Sequence, residues 1–259
     1  MDKFKDIFKQ KVLIPYITAG DPDLETTEEL VQLLDKSGAD IIEIGIPFSD
    51  PLADGPVIQA AGQRALASGT TLSGIIHMVS RISDKINTPL LLMGYYNSIL
   101  KYGKNKFIKD AVDAGISGVI IPDLPHDEDP NLYNDLEQAG LIGVLFVTPV
   151  TSIQRLQEIS EMANGFVYCV SLLGITGSKQ GPVQELEKYL GRVRKYITET
   201  PLCLGFGIDG PEKAEKVKDF ADGIIIGSAI VNLINDNREN KQEMKNKLKK
   251  FVEDVKSVL

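Results

Sequence analysis

The sequence predicts an α/β protein, a single-domain (β/α)8 TIM barrel spanning residues 1–259. Three observations carry that reading. Eight short apolar runs recur along the chain, and amphipathic helical patterns separate them. Sharing 259 residues among eight runs gives about 32 per unit, close to one βα repeat. An open doubly wound sheet has the same alternation, but eight regular units in about 250 residues favour closure. No interdomain linker or low-complexity segment interrupts the series.

The runs cover residues 12–19, 41–45, 89–93, 118–121, 142–148, 165–170, 202–205 and 223–227. Each is apolar on both faces, as parallel strands between two packed layers must be. Between them, Leu24, Leu30, Val31 and Leu34 form one helical stripe that Gly38 ends as a C-cap. Helices are likewise predicted over 57–68, 153–163 and 182–197, the last opening with Pro182 at a first helical position. The final helix repeats Met244, Leu248, Phe251, Val252 and Val255 on one side. Lys245, Lys247, Lys249 and Lys250 make its wet face, a solvated closing helix rather than a membrane or acidic-partner contact.

Composition closes several function classes. With 36 acidic against 28 basic residues and a net charge of −8, the chain lacks the basic footprint of a nucleic-acid binder. No apolar stretch approaches the roughly 18–20 residues of a membrane helix. Asp2, Lys3, Lys5 and Asp6 stand where a signal peptide would be apolar. Two cysteines make no disulfide framework. Cys169 and Cys203 lie in apolar runs and read as small buried hydrophobes, so a cytoplasmic protein is expected. Two histidines, His77 and His126, are too few for the usual zinc or metal-aldolase site or for a histidine triad cluster. No metal is expected.

The second run contains a carboxylate. Alternation along 41–45 puts Ile42 and Ile44 on one face and Ile41, Glu43 and Gly45 on the other. The isoleucines suit the helix-facing side, so Glu43 points into the barrel near its open end. An unpaired buried carboxylate costs several kcal/mol at least. Either a cation pairs with Glu43, or its proton affinity is raised for catalysis. The other seven runs contain no Lys or Arg, which favours the catalytic reading.

The stiff loop from Pro47 to Pro56 follows, with three prolines and two aspartates. Asp54 stands just before a helix and could cap it. The same loop overhangs the mouth beside Glu43, where Asp54 or Asp50 could touch substrate. Farther on, Gly174-Ile175-Thr176-Gly177, Gly205-Phe206-Gly207-Ile208 and Gly227-Ser228-Ala229-Ile230 follow strands six to eight. Exposed backbone N–H groups in such loops, with a helix amino terminus carrying Ser228, suit a phosphate. A phosphorylated small molecule is the expected ligand.

These segments, with Pro15-Tyr16-Ile17-Thr18-Ala19-Gly20-Asp21-Pro22, Leu91-Leu92-Met93-Gly94-Tyr95-Tyr96-Asn97 and Ile121-Pro122-Asp123-Leu124-Pro125, closely resemble the tryptophan synthase alpha chain. The resemblance spans nearly the whole chain in the family's order, and the 47–56 loop is its most specific part. It implies a cofactor-free lyase cleaving indole-3-glycerol phosphate to indole and glyceraldehyde 3-phosphate. It also implies a partner, a beta chain that carries pyridoxal phosphate, in an α2β2 heterotetramer. By matching motif, Glu43, Asp54 and Tyr168 take the catalytic positions. Gly177, Gly207, Gly227 and Ser228 take the phosphate-binding ones, and Tyr16, Leu92, Ile120 and Val147 line the indole pocket.

The residue inventory agrees with that chemistry. A Schiff-base route needs a lysine, and none lies in or just after the carboxyl ends of runs one to five, seven or eight. What remains is protonation of indole carbon 3 by Glu43, with the charge on ring nitrogen 1 stabilised by Asp54. The chain departs from the family pattern after Gly177. The segment Ser178-Lys179-Gln180-Gly181-Pro182 looks shorter than usual and lacks the customary arginine, and Leu172 and Leu173 replace polar or basic residues. Other readings are an activator of the beta chain with weak turnover, a free-standing indole-releasing lyase, and another phosphosugar barrel such as an isomerase.

Overall fold

All eight apolar runs become strands: β1 (Val12–Thr18), β2 (Ile42–Gly45), β3 (Leu90–Met93), β4 (Gly118–Ile120), β5 (Ile142–Val147), β6 (Val167–Val170), β7 (Leu202–Gly205) and β8 (Gly223–Ile226). In the computed structural model, which describes residues 2–171, 183–205 and 207–259, every strand pairs in parallel with the next. β1 closes the ring on β8, with Val12 opposite Gly223 and Pro15 opposite Ile226. The predicted closed barrel is therefore the observed fold.

Alternation sorts the apolar side chains into two layers. Leu13, Ile42, Ile44, Leu92, Val119 and Leu204 belong to the outer layer under the helices. Val12, Ile14, Ile41, Leu91, Ile120, Ile142, Val144 and Ile225 fill the lumen. The lumen is thus a packed core rather than a pore. A helix that carries no predictive stripe, Asp2–Ile7, closes its amino-terminal end. Phe4, Ile7 and Phe8 join the lumen cluster there, and the Phe8 ring lies 6.1 Å from Phe166.

The predicted helices form as Leu24–Lys36, Pro56–Ala67, Ile153–Met162, Val183–Arg194 and Lys241–Ser257, with small shifts at their ends; Pro182, the predicted start of the fourth, lies outside the described residues. Two helices separate β2 from β3. Leu72–Ile82 packs beside Leu24–Lys36 in the outer ring, whereas Pro56–Ala67 packs on β1 and on the helix Ser228–Asp236. This second helix is an addition at the rim, placed by the proline-rich loop that leads into it. Among the described residues no helix is long and apolar enough to cross a membrane.

Polar side chains at the opposite end tie strand starts together. Asp40 accepts the Leu13 N–H at 2.7 Å, Asn164 the Gly143 N–H at 3.0 Å, and Asp222 the Leu202 N–H at 2.7 Å. Asp35 does the same for Thr88, taking its N–H at 3.0 Å and its hydroxyl at 2.8 Å. Each satisfies a backbone donor that a neighbouring strand does not reach. Asp40 is also held by Lys256 at 2.6 Å. Asp40→Ala orphans the Leu13 N–H and should cost about 1–3 kcal/mol, lowering Tm by several degrees in a thermal melt. Activity per folded molecule should stay unchanged, because the change lies at the end remote from Glu43.

Candidate active site

Glu43 lies inside the barrel, opposite Tyr16 on β1 and Leu91 on β3. It is 0% exposed, and neither carboxyl oxygen has a hydrogen-bond partner among the described residues. Among the described residues no cation compensates it, so the ion-pair alternative finds no partner there. Burial alone pushes its pKa up to about 8. A carboxyl in that state is a neutral acid near pH 7, able to donate a proton.

Two tyrosines flank it. Tyr168 is buried on β6 in the lumen layer, its ring stacked on Phe146 at 4.8 Å. Desolvation, and after it the Glu43 charge, hold its phenol well above the usual range. Tyr16 rises from β1, with its hydroxyl 3.3 Å from Thr18 Oγ1. Burial raises its pKa, and Asp54 and Glu43 both add to the rise, so the hydroxyl sits within the field of both carboxylates. Its ring lies against Gly45, where an added Cβ would fall 2.0 Å from the Tyr16 hydroxyl oxygen. Only glycine leaves that space on the strand bearing Glu43.

Asp54 is half-buried in the loop after β2. Capping does not employ it: the N-cap of Pro56–Ala67 is Gly55, with no side-chain cap bond. Its carboxylate instead meets the Tyr95 hydroxyl. Burial raises its pKa to about 6, and the Tyr95 bond partly offsets the rise. Tyr95 also accepts the Ala53 N–H at 2.8 Å and stacks on Phe48 with centroids 5.0 Å apart. Thus one phenol fixes both the loop backbone and the carboxylate. Asp50 is exposed, and its carboxylate takes the Ser49 hydroxyl at 2.5 Å, away from this cluster.

Gly207 and the Gly227–Ser228 pair follow the adjacent strands β7 and β8, at the same barrel end as Glu43 and Asp54. Gly227 is the N-cap of Ser228–Asp236, and its carbonyl accepts the Val231 N–H at 3.0 Å. The N–H groups of the helix's first turn have no intrahelical partner, which is the arrangement that attracts an anion. Gly177 lies outside the described residues, as do Thr176, Leu172, Leu173 and Lys179.

Not every expected pocket residue faces the site. Ile120 lies in the lumen, and Tyr16 lies at its mouth with Ala61, Val231 and Met93. Leu92 and Val147 are corrected: both are in the outer layer under the helices. The two-residue period turns their neighbours inward instead, Leu91 and Met93 on β3 and Phe146 on β5. Tyr95 was not anticipated. Its bond to Ala53 spans 42 residues of sequence, and no local pattern signals such a contact.

Comparison with known proteins decides among the readings. A family model described as tryptophan synthase alpha chain matches residues 4–259. The chain belongs to the tryptophan synthase alpha chain family. The alpha chain of Petrotoga mobilis is 51% identical over 257 residues, covering 99% of each protein. That of Thermoanaerobacter sp. (strain X514) is 47% identical over 262 residues, covering 100% of this chain and 99% of that one. Among solved structures, the alpha subunit from Legionella pneumophila str. Paris superposes with a TM-score of 0.92 at 38% identity, covering 100% of this chain and 98% of that one.

Tyr95→Phe removes both the acceptor for Ala53 and the donor to Asp54. That donor lowers the Asp54 pKa, so its loss should raise the value further above about 6. The acid limb of the pH–rate profile should therefore move to higher pH, with a lower plateau.

Proposed function

We propose that the lumen mouth performs the lyase reaction of the alpha chain family with Glu43 and Asp54 as its working pair. The reaction is cleavage of indole-3-glycerol phosphate to indole and glyceraldehyde 3-phosphate, a step of tryptophan biosynthesis. The observation that carries the assignment is Glu43, a neutral acid enclosed without a hydrogen-bond partner among the described residues. Glu43 donates its proton to indole carbon 3, and ring nitrogen 1 takes up the positive charge. Asp54, ionised above about pH 6, faces that nitrogen and stabilises the charge. The bond from carbon 3 to the glycerol phosphate chain then breaks, its electron pair returning to the ring. The Glu43 carboxylate collects the proton of the adjacent hydroxyl as the aldehyde forms, which restores the acid.

Gly207, Gly227 and Ser228, with Gly177, bind the phosphate, and Tyr16, Ile120 and Tyr168 bound the ring. No cofactor of its own enters this scheme. The pyridoxal phosphate of the synthase belongs to the beta chain, to which this chain binds in an α2β2 heterotetramer in the cytoplasm. The surface that supports a partner is the mouth itself. Leu52, two residues before Asp54, is 93% exposed, and Val150, after β5, is 88% exposed. Such apolar side chains at an active-site rim suit a protein contact. With both carboxylates in place, an activator without turnover of its own is the weaker reading.

Glu43→Gln should abolish indole formation, a loss of about 10²–10⁴-fold, while inorganic phosphate still binds. Substantial residual turnover would assign the proton to another residue. Asp54→Asn should be slow with substrate affinity retained. An indole assay with and without the beta chain tests both the lyase and its partner.

The acid must be protonated and Asp54 ionised, so kcat/KM should be bell-shaped, with limbs near pH 6 and pH 8. Stability gives an independent check. The folded-state pKa of Glu43 exceeds its unfolded value, so its favourable contribution is complete below the unfolded pKa and is lost as pH rises towards about 8. Glu43→Gln lacks this loss. Its Tm advantage over the natural chain should widen from pH 4 to pH 8; a constant difference would place the titration elsewhere.

A further inference from the structure

The helix Pro56–Ala67, which follows Asp54, packs on β1 and on the helix Ser228–Asp236 mainly through small side chains. Its buried residues are Ala61, Gly62 and Ala65. Val57 and Ile58 anchor its first turn against Tyr16 and Val231, but small side chains leave its carboxyl-terminal half without a large apolar knob. What fixes it in direction is polar. Arg64 donates through Nε and Nη2 to both carboxylate oxygens of Asp21, at 2.8 and 2.7 Å. Asp21 is only 4% exposed and lies in the loop directly after β1. A guanidinium fork on a carboxylate sets distance and angle together.

A second contact backs the first. The Ser68 hydroxyl lies 3.2 Å from the Gly20 carbonyl and 3.1 Å from the Thr70 hydroxyl. Gly20, at φ +85°, approaches so closely that an added Cβ would fall 1.8 Å from Thr70 Oγ1. At the other end of the helix, the Gln59 amide donates to the Asp54 carbonyl at 2.9 Å. A continuous path therefore runs from Asp21 through Arg64 and one helix to Gln59 and Asp54.

We propose that Arg64, clamped by Asp21, is a positioning residue for Asp54: the pair sets the rotation and height of the rim helix, and with them the place of the Asp54 carboxylate over the lumen. The proposal rests on the role given to Asp54 above. The bidentate pair is spent on holding a helix rather than on substrate, since Arg64 bonds Asp21 and not the catalytic loop.

The test uses the full chain with its beta partner and compares Arg64→Ala, Arg64→Lys, Asp21→Asn and the Arg64→Ala/Asp21→Asn double variant, with Asp54→Asn alongside. Each variant of the pair should lower kcat by about 10–100-fold, the order expected when a reacting group is misplaced by an ångström. Arg64→Lys keeps the charge but loses the fork and should fall in between; it also serves if Arg64→Ala does not fold. The double variant should be no slower than the worse single one, because the two residues act as a unit.

The pH profile separates positioning from general support. Asp54 is faced by Tyr95 from the loop after β3, by Tyr16 from β1 and, more weakly, by Tyr168 from β6. Freed from that enclosure it meets water, so the acid limb should move from near 6 towards the ordinary aspartate range. Normal kcat in Arg64→Ala, a slower enzyme with an unmoved acid limb, or additive losses in the double variant would overturn the proposal while leaving the Asp54 assignment intact. Full activity in Asp54→Asn would instead remove the role on which it rests.

Discussion

An uncompensated carboxyl in an apolar lumen is the constraint around which this barrel is arranged. Ionised, Glu43 would cost several kcal/mol at least without a partner. The protein avoids that cost by keeping the group neutral. Its surroundings serve that state: no hydrogen-bond partner among the described residues reaches it, and the lumen cluster around it is dominated by Ile14, Ile41, Leu91 and Ile120. The phenols beside it remain protonated for the same reason. Proton affinity here is a property of the packing, not of any bond made by the acid.

Asp54 illustrates the opposite treatment of the same functional group. Half-buried and given one phenolic donor, it stays closer to its ordinary affinity and is ionised at neutral pH. One carboxyl as an acid and one as an anion are thus set by two depths along one barrel axis. The rim supplies the difference. Glu43 is rooted in a strand, where register with Tyr16 and Leu91 leaves it little freedom. Asp54 stands on a loop, and its precision comes from Tyr95, Gln59 and the Arg64–Asp21 fork.

Strand periodicity made most of the architecture legible. The eight apolar runs are the eight strands, and the charge on Glu43 revealed which way its strand faces. Where a run carries no such marker, parity is invisible: in Leu90–Met93 and Ile142–Val147 both faces are apolar, and the misplacement of Leu92 and Val147 follows from that. The polar ties were illegible for another reason. Tyr95 to Ala53, Arg64 to Asp21 and the strand-start bonds of Asp40 and Asp222 join residues 20 to 43 apart. No short period records contacts between successive units. For Asp54 the sequence leaves capping open, and only the cap geometry, with Gly55 as N-cap and no side-chain cap bond, removes that role.

The short opening helix has a consequence for traffic. With Phe4, Ile7 and Phe8 packed into the base of the cylinder, the floor is sealed by aromatic and aliphatic carbon. Among the described residues, that leaves a small molecule the opposite end, beside Leu52, Asp54 and the amino terminus of Ser228–Asp236, as its way in and out. Whatever sits across that threshold governs entry and exit alike.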